Sequence, residues 1–224
     1  MKKLALLFTL LCTFTFGATI NELNNSIVDN YNNKNFKQVK KDSKDLLDLD
    51  ENSFIGHKYL GLYYFEDKDY KKSYKELEKA MNINNSDEEV LNKLIDAYYE
   101  EHKESDAINI AKRLVELHPN DSDKMVLLSQ IYFDSRKFEE SIDTCWKAIE
   151  MDPKNANAYN WRGDISFKAY QFKISIDDYT KAIELDPTNP LYYKNRGFAK
   201  GCLKDKDGMN ADYKIAKELE NQKK

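Results

Sequence analysis

The sequence predicts an all-α chain, a solenoid of about six helix–turn–helix units of 34 residues, and three observations carry that prediction. Only 7 Gly and 4 Pro occur in 224 residues, few for a protein rich in turns and strands. Apolar residues recur at three- and four-residue spacings, the period of a buried helical face. Pro119, Pro153 and Pro187 are separated by 34 residues each time, and the segments before them align. Those segments are Ala111-Lys-Arg-Leu-Val-Glu-Leu-His-Pro119, Cys145-Trp-Lys-Ala-Ile-Glu-Met-Asp-Pro153 and Tyr179-Thr-Lys-Ala-Ile-Glu-Leu-Asp-Pro187. The same step backward reaches Leu77 to Asn85 and Ser43 to Glu51, and forward it reaches Tyr213 to Asn221.

Composition narrows the function classes. With 33% charged residues and a mean hydropathy of -0.77 the chain is too polar for a polytopic membrane protein. With 41% hydrophobic and 12% aromatic residues it has enough apolar surface to offset chain entropy, which argues against disorder. A net charge of -4, from 35 basic and 39 acidic residues, argues against a nucleic-acid partner, because phosphate contacts need a concentrated basic face.

The N-terminal 18 residues read as a secretory signal. Lys2 and Lys3 give a positive start, Leu4 to Phe16 carry no charge, and small residues follow at Gly17 and Ala18. Cleavage after Gly17 fits best. The alternative is an uncleaved anchor, in which case membrane contact runs through this segment alone. A lipoprotein reading of Cys12 is weaker, since Leu10 and Leu11 precede it where small residues are wanted.

Beyond the leader the units run 20–53, 54–87, 88–121, 122–155, 156–189 and 190–223. Each reads as two short helices. In 54–87 the first offers His57, Leu60 and Tyr64 on one face, and the second offers Tyr70, Tyr74, Leu77 and Met81. Polar breaks such as Glu66-Asp-Lys-Asp69 and Asp134-Ser-Arg-Lys137 separate the helices, and Pro or Asn closes the unit.

At this point the sequence resembles the tetratricopeptide repeat (TPR) family over 20–223. The family pattern is W-x2-L-G-x2-Y, then Ala, an aromatic and Ala in the second helix, then Pro. It appears as His57, Leu60, Gly61, Tyr64, Ser73, Leu77 and Ala80, and as Leu91, Leu94, Ile95, Tyr98, Ala107, Ala111, Leu114 and Pro119, where Ile95 and Leu114 replace the usual small residues. It returns as Met125, Leu128, Ser129, Tyr132, Ser141, Cys145, Ala148 and Pro153, then as Tyr159, Arg162, Gly163, Ser166, Ser175, Tyr179, Ala182 and Pro187. Tyr193, Gly197, Tyr213 and Ala216 close the series, and 20–53 is a degenerate first unit. The resemblance implies a right-handed stack in which small residues allow close helix approach, no unit buries its apolar face alone, and neighbours stabilise one another. Replacing Gly163 or Ala182 with Leu should then cost about 1–3 kcal/mol by overpacking. Cys145 and Cys202 fall a whole unit apart, too far for a disulfide, and both read as small buried hydrophobes.

Catalysis finds little support. His57, His102 and His118 occupy three different repeat positions, the acidic runs read as helix starts and solvated faces, and no G-x-S-x-G, phosphate loop or H-E-x-x-H occurs. Neither a metal nor a cofactor is implied.

The resemblance points instead to binding. In the family, first helices line a groove whose residues are not needed for stacking. On this register the groove collects Lys58, Tyr59, Leu62 and Phe65, then Asn92, Lys93, Asp96 and Tyr99. It continues with Val126, Leu127, Gln130 and Phe133, with Asn160, Trp161, Asp164 and Phe167, and with Lys194, Asn195 and Phe198. Aromatics interleaved with Asn, Asp and Lys are typical of interaction surfaces, although some of these rings could pack against adjacent helices. The family's best-known mode clamps a carboxylate terminus with Lys and Asn. Lys58 and Lys194 stand at the Lys position, but Leu62 and Phe198 occupy the Asn position, so an extended peptide or another protein surface is the expected partner. The expected function is an exported, non-enzymatic adaptor, periplasmic, envelope-associated or secreted, that holds a protein or peptide partner. The rival reading is a structural envelope component that self-associates through its solenoid ends. Trp161 is expected as a hot spot whose truncation weakens binding at least tenfold, about 1.4 kcal/mol, while changing stability little.

Overall fold

The computed structural model describes residues 19–222. The expected leader, residues 1–18, lies outside the described residues. Among those described there are twelve α-helices and no strand. Helix α1 spans 19–32, followed by α2 (Phe36–Leu49), α3 (Phe54–Glu66), α4 (Tyr70–Ile83), α5 (Glu88–Glu100) and α6 (Glu104–Leu117). Then come α7 (Ser122–Asp134), α8 (Phe138–Met151), α9 (Ala156–Lys168), α10 (Phe172–Leu185), α11 (Pro190–Cys202) and α12 (Lys206–Gln222). They form two compact units, one up to Ile110 and one from Ala111, the boundary falling inside α6.

The helices begin and end for local reasons that recur. Ser53, Asp87, Asp121, Asn155 and Asn189 cap α3, α5, α7, α9 and α11, each side chain accepting a hydrogen bond from a first-turn backbone N–H. Pro190 opens α11, where its missing N–H is not needed. Within each pair the chain reverses through a residue in the left-handed region: Lys34, Lys68, His102, Arg136, Tyr170 and Lys204, all with φ between 54° and 66°. Around each of them the backbone closes the same way. Lys68 N–H donates to the Phe65 carbonyl and Asp69 N–H to that of Tyr64, and equivalent bonds form at the other five turns. This is the Schellman arrangement, normally built on glycine.

In the first unit, α3 packs against α2, α4 and α5. Ile27, Val39 and Leu46 are fully buried, with Leu23, Tyr31, Ile55, Tyr59 and Tyr63 packed around them. In the second, α9 touches α7, α8, α10 and α11, so the first helices form a shared layer. Val126, Ala148, Ile149 and Ala158 form a core there. Close approach is set by small residues: a Cβ on Gly61 would stand 2.7 Å from Leu77, and one on Gly163 would stand 2.6 Å from Tyr179. Ala80, Ala148 and Ala182 are fully buried, as are Ser73, Ser141 and Ser175.

Candidate binding faces

The first-helix face of the first unit is largely consumed by its own packing. Leu62 is 1% exposed, so the structure moves it from the expected groove into the core. Tyr59 stacks edge-on against Tyr31 at 5.2 Å and packs on the Ile27 cluster. Lys58 is buried, and its ammonium lies 2.9 Å from Asp87 and 2.7 Å from Glu89. Burial pulls that ammonium's pKa down, but the hydrogen bonds to Glu89 and Asp87 outweigh it and the net shift is upward. Lys93 sits 4.3 Å above the Phe65 ring and pairs with Asp96 at 3.2 Å. Asn92 and Asp96 are exposed and Tyr99 is half-buried. His57, expected as a packing residue, is buried, with one ring nitrogen 2.6 Å from Glu76 and the other 2.9 Å from the Glu51 carbonyl.

The second unit presents a more open face. Val126 and Asn160 are buried, while Leu127, Gln130, Phe133, Asp164, Phe167 and Asn195 are half-buried. Lys194 is exposed but pairs with Glu220, and Phe198 is 57% exposed. Two aromatic pairs cross from helix to helix: Phe133 on Trp161 at 5.6 Å, edge-on, and Phe167 on Phe198 at 5.3 Å. Between them Asp164 gathers neutral donors. The Tyr179 hydroxyl donates to it at 2.7 Å, the Asn195 amide at 3.2 Å and the Asn160 amide at 3.4 Å. Burial pushes the Asp164 carboxyl up to about 6, against the lowering effect of the Tyr179 hydrogen bond. The Asn195 amide also donates to the Asn160 side-chain oxygen Oδ1 at 3.0 Å.

Trp161 does not stand free as expected. Its ring packs on the Val126 and Ala158 cluster, and its indole N–H donates to the Ser129 hydroxyl at 2.7 Å. Ser129 in turn donates to the Ser141 carbonyl at 2.7 Å, so the indole belongs to a buried polar chain linking α7, α8 and α9. Most of the ring is therefore structural, and its exposed edge alone can meet a ligand.

Other features were not foreseen. Arg162 and Arg196, at the family's Leu position, are ion-paired across their helix pairs with the buried Asp178 and Asp212, at 2.6 Å and 2.7 Å. Lys200 also reaches Asp212 at 2.9 Å, and these partners hold that carboxyl below its ordinary value although burial opposes them. On the second helices, Phe138, Ile142, Trp146 and Ile174 are 42–51% exposed, and in the turn between α9 and α10 Tyr170 is 82% exposed. Ile142, Trp146 and Ile174 border a cleft of about 400 Å³, where the Arg162 guanidinium lies 4.2 Å from the Trp146 ring. Cys145, at its base, is buried, its thiol pushed up to about 12 by burial. Cys202 is exposed on the last turn of α11, contrary to expectation, and both cysteines are free.

Among the described residues no group of His, Cys, Asp and Glu could hold a metal ion, and no helix is long and apolar enough to cross a membrane.

Comparison with known proteins agrees with the helical-pair architecture. Two family models described as tetratricopeptide repeat match residues 125–155 and 144–175. The second begins within α8 rather than at a pair boundary, as a periodic stack permits. No curated protein matches the chain. Among solved structures, a tetratricopeptide repeat protein from Parabacteroides merdae superposes with a TM-score of 0.72 at 13% identity, covering 87% of this chain and 77% of that one. Pseudomonas aeruginosa PilF gives 0.63 at 15% identity, covering 88% and 90%. YrrB, described as a TPR protein with an unusual peptide-binding site, gives 0.62 at 18% identity, covering 79% and 95%. At these identities the likeness shows the fold. The chain carries tetratricopeptide repeats within 125–175, and its described residues have the all-helical fold of tetratricopeptide repeat solenoids.

Proposed function

We propose that the chain is a non-catalytic adaptor that holds a protein or peptide partner on the first-helix face of its second unit, and that it does so outside the cytoplasm. The observation that carries the binding reading is the pair of interhelical aromatic contacts, Phe133 with Trp161 and Phe167 with Phe198, flanking a half-buried carboxylate. Phe198 is 57% exposed, more than helix stacking requires, and a partner covering it would recover that apolar area. Peptide binding by YrrB, a neighbour in fold, supports the same reading. The extracytoplasmic location rests on the N-terminal sequence pattern.

The test is affinity capture from an envelope fraction with the full chain and with Phe198→Glu. A partner held by the native chain and lost from a variant that melts at the same temperature supports the adaptor. Identical capture by both overturns it, and recovery of the protein in the cytoplasmic fraction overturns the location.

The self-association reading has one observation in its favour. Tyr213 is 37% exposed, whereas Tyr179, one repeat earlier, is 2% exposed. Light scattering decides between them, since an adaptor purified alone should be monomeric.

A further inference from the structure

Several charges on the first helices of the second unit are matched within the protein. Asp178 is neutralised by Arg162, and Asp212 by Arg196 and Lys200. Lys194, at the position where a ligand carboxylate would be expected, is occupied by Glu220, as Lys58 is by Asp87 and Glu89 in the first unit. A ligand anion would have to displace a protein carboxylate from either lysine.

Asp164 has the opposite condition. Its carboxylate is held by the Tyr179 hydroxyl and the Asn195 and Asn160 amides, all neutral, and among the described residues no ammonium or guanidinium lies within 4.0 Å of it. Lys168, one turn further along α9, acts on it only from a distance. A desolvated carboxylate without a cation is costly to keep ionised. The aromatic pairs stand on either side: Phe133 and Trp161 toward α7, Phe167 and Phe198 toward α11. Ring faces attract cations, and the methylene stem of a long basic side chain packs along them.

Resting on the adaptor reading above, we propose that this face selects a peptide segment bearing Lys or Arg, whose cationic head pairs with Asp164 while its stem lies between the two aromatic pairs. The charge complementarity is one-sided: the face offers an unmatched negative group and no unmatched positive one at the lysine positions, so a basic segment fits and an acidic one does not.

The probe is an array of nine-residue peptides, each sequence in three versions with lysine, norleucine or glutamate at the centre. Norleucine keeps the stem and removes the charge. Full-length protein should retain lysine versions at least tenfold better than norleucine versions, and glutamate versions least. Asp164→Asn, shown folded by its circular dichroism and melting curve, should bind norleucine versions as before and lose the tenfold preference. Asp164→Glu should keep part of it. Equal retention of lysine and norleucine versions, or a preference for glutamate, overturns the basic-segment proposal and leaves the adaptor standing. Absence of any peptide binding also overturns the basic-segment proposal, while the capture experiment above decides the adaptor separately.

Discussion

The packing of α9 on α10 can be tested with two alanine substitutions at equivalent repeat positions. A Cβ on Gly163 would stand 2.6 Å from Cε1 and 2.8 Å from Cδ1 of Tyr179. That ring is 2% exposed, and its hydroxyl is tied to Asp164 at 2.7 Å, so it is held at both ends and has nowhere to swing. A Cβ on Gly197 would stand 3.1 Å from Tyr213 and 3.2 Å from the Asp212 Cβ, tight but short of overlap, and Tyr213 is 37% exposed and able to move outward. Alanine for glycine inside a helix gains about 1 kcal/mol of backbone stability. Overpacking a fixed neighbour costs about 1–3 kcal/mol. Gly163→Ala should therefore lose about 1 kcal/mol net, and Gly197→Ala should stay near zero or gain slightly. Urea unfolding followed by far-ultraviolet circular dichroism measures both. Equal shifts in the same direction would mean that Tyr179 is not the fixed wall described, and the close-approach argument for this interface would fail.

Four further outcomes are expected. Trp161→Ala should destabilise by about 3 kcal/mol, as loss of a packed aromatic does, and Trp161→Phe by about 1 kcal/mol for the lost Ser129 hydrogen bond; a melt unchanged in both would return the ring to the free groove. Arg162→Met should lose about 3 kcal/mol by stranding Asp178, and a double-mutant cycle with Asp178→Leu should recover most of it. Tyr170→Gly should gain about 0.5–1 kcal/mol by relieving the left-handed backbone, and a loss would show that the Phe172 ring contact at 6.1 Å outweighs the strain. The Asp164 carboxyl, raised to about 6 from 3.8, takes up its proton at higher pH folded than unfolded. Folding is therefore favoured as pH falls from 7 through 6 toward 4, with no further change below. Two pH units correspond to about 3 kcal/mol, reduced to about 1 by the partly exposed edge. Asp164→Asn should be more stable by that amount at pH 7, and the gap should close by pH 4 in paired unfolding curves.

Helix pairing was legible because each structural position recurs every 34 residues, and five copies outvote any one ambiguous residue. Other regularities were present but unread. The caps at Ser53, Asp87, Asp121, Asn155 and Asn189 share that interval, and so do Arg162 with Arg196 and Asp178 with Asp212. A charged pair repeated in register announces itself as structural. The binding face was harder, since a repeat position fixes which side of a helix a residue occupies and not what its neighbour leaves uncovered. Trp161 turns inward because Ser129, at the repeat position of Gly61, Gly163 and Gly197, offers a hydroxyl to its N–H. Lys58 is silenced by a cap 29 residues later, a contact set by how successive pairs rotate. Leu62 and Val126 are buried for the same reason.

The six left-handed turns have an implication for how such a chain can change length. From α3 to α10 every first helix has thirteen residues, every second helix fourteen, and three residues join them. The third of those three accepts the Schellman bond's geometry and also begins the next helix, as Asp69 does in donating to Tyr64 and receiving from Lys72. There is no slack residue. One inserted amino acid would turn the second helix by about 100° about its axis, swinging Ser73 or Ala80 out of the interface and a lysine into it. Growth or loss of sequence in this architecture is thus quantised: whole pairs can be added or removed in register, while single-residue drift is rejected at every turn.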